Sequence, residues 1–124
     1  MPRKDSILRS KSESFADRIV KLYHYAIGQH ETVMSKQIYR SGTSIGANIA
    51  ESINAQSDAD FINKLSIALK ESNETEYWLS RLFHSGIIDE RGYISMKNDN
   101  EELIKMLVSS IKTAKKRMNA PEKR

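Results

Sequence analysis

Cysteine is absent from the 124 residues, and proline and glycine are scarce at two and five. Without thiols the chain has no disulfide, no thiolate zinc or iron–sulfur site and no cysteine nucleophile. That fits a reducing compartment, and the cytoplasm is the expected one. Few helix breakers, with 39% hydrophobic and 29% charged residues, exclude collagen-like and disordered compositions. No apolar run approaches the roughly 18 residues that a membrane span requires. The opening Met1-Pro2-Arg3-Lys4-Asp5 lacks the apolar stretch of a signal peptide, so no membrane partner is expected. Strict alternation of polar and apolar residues, the mark of a half-buried strand, is missing as well. What is left is one helical domain over residues 1–124, with flexible basic ends expected at about 1–10 and 119–124.

What the chain does have is basic charge, +4 overall with pI near 9.3, and it is unevenly placed. Arg3, Lys4, Arg9 and Lys11 against Asp5 give the first eleven residues a net +3. Lys105, Lys112, Lys115, Lys116, Arg117, Lys123 and Arg124 against Glu122 give residues 105–124 a net +6. The stretch between them is acidic, at −5. A polyanion would therefore meet the two ends; the competing reading of Lys112 to Arg117 is a solvated helix end that complements the helix dipole. No aromatic residue interleaves these cations as single-strand binders usually require.

Helical spacing runs through the rest. Ser10 and Glu13 have the spacing of a capping box, and Phe15, Ile19, Leu22 and Ala26 follow in phase, predicting a first helix over about 11–27 with Gly28 as its C-cap. A second helix is expected from about Ser35, with Ile38, Gly42, Ile45, Ile49 and Ile53 on one face. Gly42, Gly46 and Ala50 stand four apart, so a neighbouring helix can approach closely. Ser57 with Asp60 caps a third helix that persists to Gly86, roughly 42 Å long. Asp89, Gly92, Asn98 and Asp99 make 87–100 read as a loop, before a fourth helix that ends ahead of Pro121. The predicted fold is all-α, an antiparallel up-and-down four-helix bundle.

On a helical wheel the third helix carries a second stripe beside its core face, formed by Ile67, Glu71, Glu74 and Trp78. The single indole would be poorly used on the exposed face of a monomer, which predicts self-association through the second and third helices. Glu71 and Glu74, one turn apart beside Trp78, have the spacing of an acid–base pair. The plainer reading makes them acceptors for Asn48, Arg40 or a hydroxyl across a helix or subunit boundary. His24, His30 and His84 have no partner at ligand spacing, so no metal is expected. The stretch Arg40 to Gly46 lacks the Gly-Lys-Ser/Thr ending of a phosphate-binding loop and no strand precedes it, and no nucleophile elbow occurs.

The run Gln37-Ile38-Tyr39-Arg40-Ser41-Gly42-Thr43-Ser44-Ile45-Gly46-Ala47-Asn48-Ile49-Ala50-Glu51, then Asp60-Phe61, then Ala68-Leu69-Lys70-Glu71-Ser72-Asn73-Glu74-Thr75-Glu76-Tyr77-Trp78-Leu79, closely resembles the bacterial 23S ribosomal RNA intervening-sequence protein family over about residues 12–115. The resemblance implies a four-helix bundle assembled as a ring-like homopentamer, with no enzymatic activity attached. A similar bundle is the accessory protein of diversity-generating retroelements; the acidic middle of this chain sets it nearer the intervening-sequence branch.

Together these readings predict a non-enzymatic homo-oligomer, a pentamer by the resemblance, that binds RNA or DNA through Arg3, Lys4, Arg9, Lys11, Lys112, Lys115, Lys116 and Arg117. The expected contact between copies comprises Gly42, Gly46, Asn48, Glu51, Ile67, Glu71, Glu74 and Trp78. A protein-interaction scaffold or accessory subunit with no nucleic-acid contact is the alternative, and a carboxylate enzyme built on Glu71 and Glu74 stands third. No cofactor is expected.

Overall fold

The computed structural model describes residues 4–120, and nearly all of them are helical: α1 (Lys4–Gly28), α2 (Met34–Ser52), α3 (Asp58–His84) and α4 (Glu90–Met118). Each helix packs on the next and α1 meets α4, which makes the up-and-down four-helix bundle that the periodicity predicts. No described helix is long and apolar enough to cross a membrane. The core stripe is carried by Phe15 and Ile19 on α1, Ile38, Ile45 and Ile49 on α2, Leu65, Leu79 and Leu82 on α3, and Leu103 and Leu107 on α4.

Three boundaries differ from the sequence reading. Helix α1 begins about two turns earlier than expected, so residues 4–10 are helix; Arg3 and the expected end beyond Ala120 lie outside the described residues. Leu8 is the cause: it is 2% exposed and extends the Phe15–Ile19 stripe by two turns. Ser10 and Glu13 consequently sit inside the helix and form no cap; Glu13 instead accepts from Arg9 Nε at 3.2 Å.

Gly28 does not end α1 by a left-handed turn either. That conformation falls on His30 (φ 65°), where the Glu31 N–H reaches the Ala26 carbonyl and the His30 N–H reaches Ile27, each at 2.9 Å. Glu31 then turns its carboxylate to the first amides of α2, at 3.2 Å from Met34 and 2.8 Å from Ser35. The same C-terminal motif closes α3 at Gly86 (φ 82°), with the Ile87 N–H on Leu82 and the Gly86 N–H on Phe83. As predicted, Ser57 caps α3 by accepting from the Asp60 N–H at 3.0 Å.

The expected loop over 87–100 is mostly helix. Asp89 caps α4 by accepting from the Gly92 N–H at 2.7 Å, and Met96, Asn100, Leu103 and Leu107 then bury one continuous stripe. Of the turn-forming residues misread here, Asp89 and Gly92 make the cap, Asn98 is exposed and Asp99 pairs with Arg18 of α1, while Asn100, fully buried, donates from Nδ2 to the Ser72 carbonyl of α3 at 2.9 Å.

Small residues on α2 allow the close approach to a neighbour that their spacing predicts, and the neighbour is α1. A Cβ on Gly42 would lie 2.6 Å from Ile19 Cγ1, whereas one on Gly46 would meet only the Ser12 oxygens at 3.5 Å. The two glycines should therefore behave oppositely. In chemical denaturation, Gly42→Ala is expected to lose about 1–2 kcal/mol, overpacking outweighing helix propensity. Gly46→Ala is expected to be neutral or gain up to about 1 kcal/mol.

Candidate functional site

Arg40 of α2 reaches across to α3 and holds two carboxylates. Its Nη1 donates to Glu71 Oε2 at 2.9 Å and its Nη2 donates to Glu74 Oε2. Trp78, one turn on, donates its indole N–H to the same Glu74 oxygen at 3.4 Å. Beneath this ladder the hydroxyls of Ser41 and Thr75, both fully buried, hydrogen-bond across the two helices at 2.9 Å. Spacing explains the arrangement: 71, 74, 75 and 78 share one face of α3, while 40 and 41 are adjacent positions on α2. Desolvation opposes the charge on Arg40, but its hydrogen bonds and proximity to Glu74 and Glu71 outweigh that, and the guanidinium is held above its ordinary value. Of the donors considered for Glu71 and Glu74, Arg40 is the one found; Asn48 Nδ2 donates instead to the Ser44 carbonyl of its own helix at 2.9 Å.

The residues expected at the contact between copies differ in how far they are exposed in one chain. Trp78 is half-buried against the core, and the Glu71 side chain is only 12% exposed, so the second stripe of α3 is largely occupied within one chain. Gly42 is buried against α1 and Gly46 faces Ser12. Glu51 and Ile67 are the members that lie open, Ile67 at 37% exposure.

The nominated cations also separate. Arg9 pairs with Glu13 at 3.2 Å, Lys11 with Glu102 at 2.5 Å, and Arg117 with Asp58 at 2.7 Å. Lys4 opens α1, and Arg3 lies outside the described residues. Lys112, Lys115 and Lys116 remain exposed and make no ion pair with any described residue. They flank a groove between α3 and α4 whose apolar lining is Leu69, Val108 and Ile111.

Two features escaped the sequence reading. One is that groove, signalled only by Val108 and Ile111 running into the lysines at steps of three and four. The other is the α1–α4 seam, where Arg18 donates to Asp99 at 2.5 Å and to Ser95 Oγ at 2.9 Å beside the Lys11–Glu102 pair. Those partners lie more than eighty positions apart, or nearly so, and nothing in local spacing couples them. Among the described residues, no three His, Asp or Glu side chains gather as metal ligands.

Removing the clamp has a spectroscopic readout, because Trp78 is the only tryptophan. Arg40→Ala is expected to cost about 1 kcal/mol, with the loss narrowing in high salt. It is also expected to shift the Trp78 emission, since Glu74 loses the group that positions it beside the indole. An unchanged spectrum would count against the clamp.

The 23S rRNA-intervening sequence protein family model matches residues 4–109. The fold is also similar to a crystal structure from Bacteroides thetaiotaomicron VPI-5482, a protein of unknown function from the S23 ribosomal protein family. That similarity has a TM-score of 0.87 and 58% sequence identity, covering 89% of this chain and 99% of the other. No curated protein matches the chain. With the family model spanning α1 through most of α4, and the two motifs of α2 and α3 meeting at Arg40, the chain belongs to the 23S rRNA-intervening sequence protein family.

Proposed function

We propose that this protein is a non-enzymatic, self-associating binding module that holds a polyanionic partner against the end of α4 in the cytoplasm. One observation carries the reading. Of the cations nominated from the sequence, Lys112, Lys115 and Lys116 form the cluster left without carboxylate partners among the described residues, and they lie together on one helix end. Arg9, Lys11 and Arg117 already have partners within the chain. Free ammonium groups at this spacing are what phosphate or carboxylate contacts require.

Support for self-association comes from apolar surface left open outside the clamp. Ile67 and Tyr77 are 37% and 56% exposed. A ring of five copies, as the family resemblance implies, is the expected assembly. Glu71 and Glu74 serve in this reading as the receptor for Arg40, with no catalytic role.

Two measurements test it. RNA retention across a salt series should show a slope that falls by about 2 when Lys112, Lys115 and Lys116 are all changed to Gln, at roughly 0.7 per lost single-strand contact. An unchanged slope would remove the α4 surface from the account. Light scattering after size exclusion should give a multiple of 14.2 kDa, and Ile67→Asp should reduce it while helicity is kept. A monomeric mass at micromolar concentration would overturn self-association.

A further inference from the structure

The floor of the α3–α4 groove says more about the partner than its charge does. Val108, Ile111, Lys112, Lys115, Lys116 and Asn119 follow one another along α4 and its C-cap at alternating steps of three and one, a single stripe about 16 Å long, and Leu69 of α3 forms the opposite wall. Val108 is half exposed and Ile111 lies deeper, at 9%. Among the described residues, no acidic and no aromatic side chain lines the groove.

A surface that only tracks phosphates needs no apolar floor, and single-stranded nucleic acid is held on aromatic platforms that this groove lacks. An apolar floor beneath three ammonium groups that have no carboxylate partner among the described residues is instead complementary to a helix with an apolar stripe flanked by carboxylates. Its length matches about three turns of such a helix.

We propose that the α3–α4 groove is the docking site for an acidic amphipathic helix of a protein partner. The inference rests on the reading that the end of α4 binds a polyanion, and names its chemistry. Apolar side chains of the incoming helix would bury against Val108, Ile111 and Leu69, and its Asp or Glu residues would pair with Lys112, Lys115 and Lys116.

Fluorescence anisotropy on the full chain tests it with three probes: a peptide of about 18 residues carrying Leu at i, i+3, i+4 and i+7 with flanking Glu, a scrambled peptide of the same composition, and a single-stranded RNA of similar charge. The ordered peptide is expected to bind about tenfold tighter than the scrambled one. Val108→Gln, a neutral change on an exposed residue, is expected to weaken the ordered peptide about fivefold while leaving RNA and the scrambled peptide unchanged. Replacing all three lysines by Gln should weaken every probe.

Equal binding of the two peptides overturns the inference. So does RNA binding tighter than either with no response to Val108→Gln, which leaves the polyanion reading standing with nucleic acid as the partner. No response of any probe to the lysine changes overturns both. A fall in assembled mass with Val108→Gln would place the groove between copies of this chain and also overturn the proposal.

Discussion

The contact of Gly42 with Ile19 sets the rotation of α2, and the faces of the bundle follow from it. With Gly42 turned to α1, a step of 100° back along the helix turns Ser41 toward α3, where it meets Thr75. Ile38, Ile45 and Ile49 fall in the arc between those directions and fill the core. One further step carries Arg40 past the core to the outer edge of α3, where Glu71 and Glu74 wait. A side chain at position 42 would displace α2 from α1 and rotate or shift each of these contacts in turn.

Most of the buried hydroxyls are satisfied locally, while Ser72 Oγ and Asn100 Oδ1 are buried without a hydrogen-bond partner among the described residues. Ser12, Ser35 and Ser52 are buried, yet their hydroxyls donate to carbonyls three or four residues back in the chain, at 2.6–2.8 Å. Asn100 is different, since its amide crosses between helices to the Ser72 carbonyl and so fixes the register of α4 against α3. Large apolar residues alone would permit neighbouring registers; a buried amide with one reachable acceptor does not.

Helix number, order and core stripes were legible because helical periodicity is a local signal repeated over many turns. Boundaries were less so. Leu8 belongs to a stripe that the Ser10–Glu13 spacing interrupts with a false start, and Asp89, Gly92, Asn98 and Asp99 have the composition of a loop although they lie along α4 or at its cap. The stripe on α3 was located by the wheel, and Arg40 was among the donors considered for it, across a helix or a subunit boundary. Arg40 occupies it from within the chain, a choice that depends on how α2 is turned and so on packing that no single-helix pattern contains. Likewise the cations could be counted from sequence, whereas which of them are already neutralised depends on Glu102 and Asp58, distant in the chain.

An even number of antiparallel helices returns the chain to the pole from which it started. The opening of α1 and the close of α4 therefore share one end of the bundle with the turn from α2 to α3, and Arg117 pairs there with Asp58 at 2.7 Å. Tethers attached at the opening of α1 and at the close of α4 would stand side by side at that end, rather than at opposite poles.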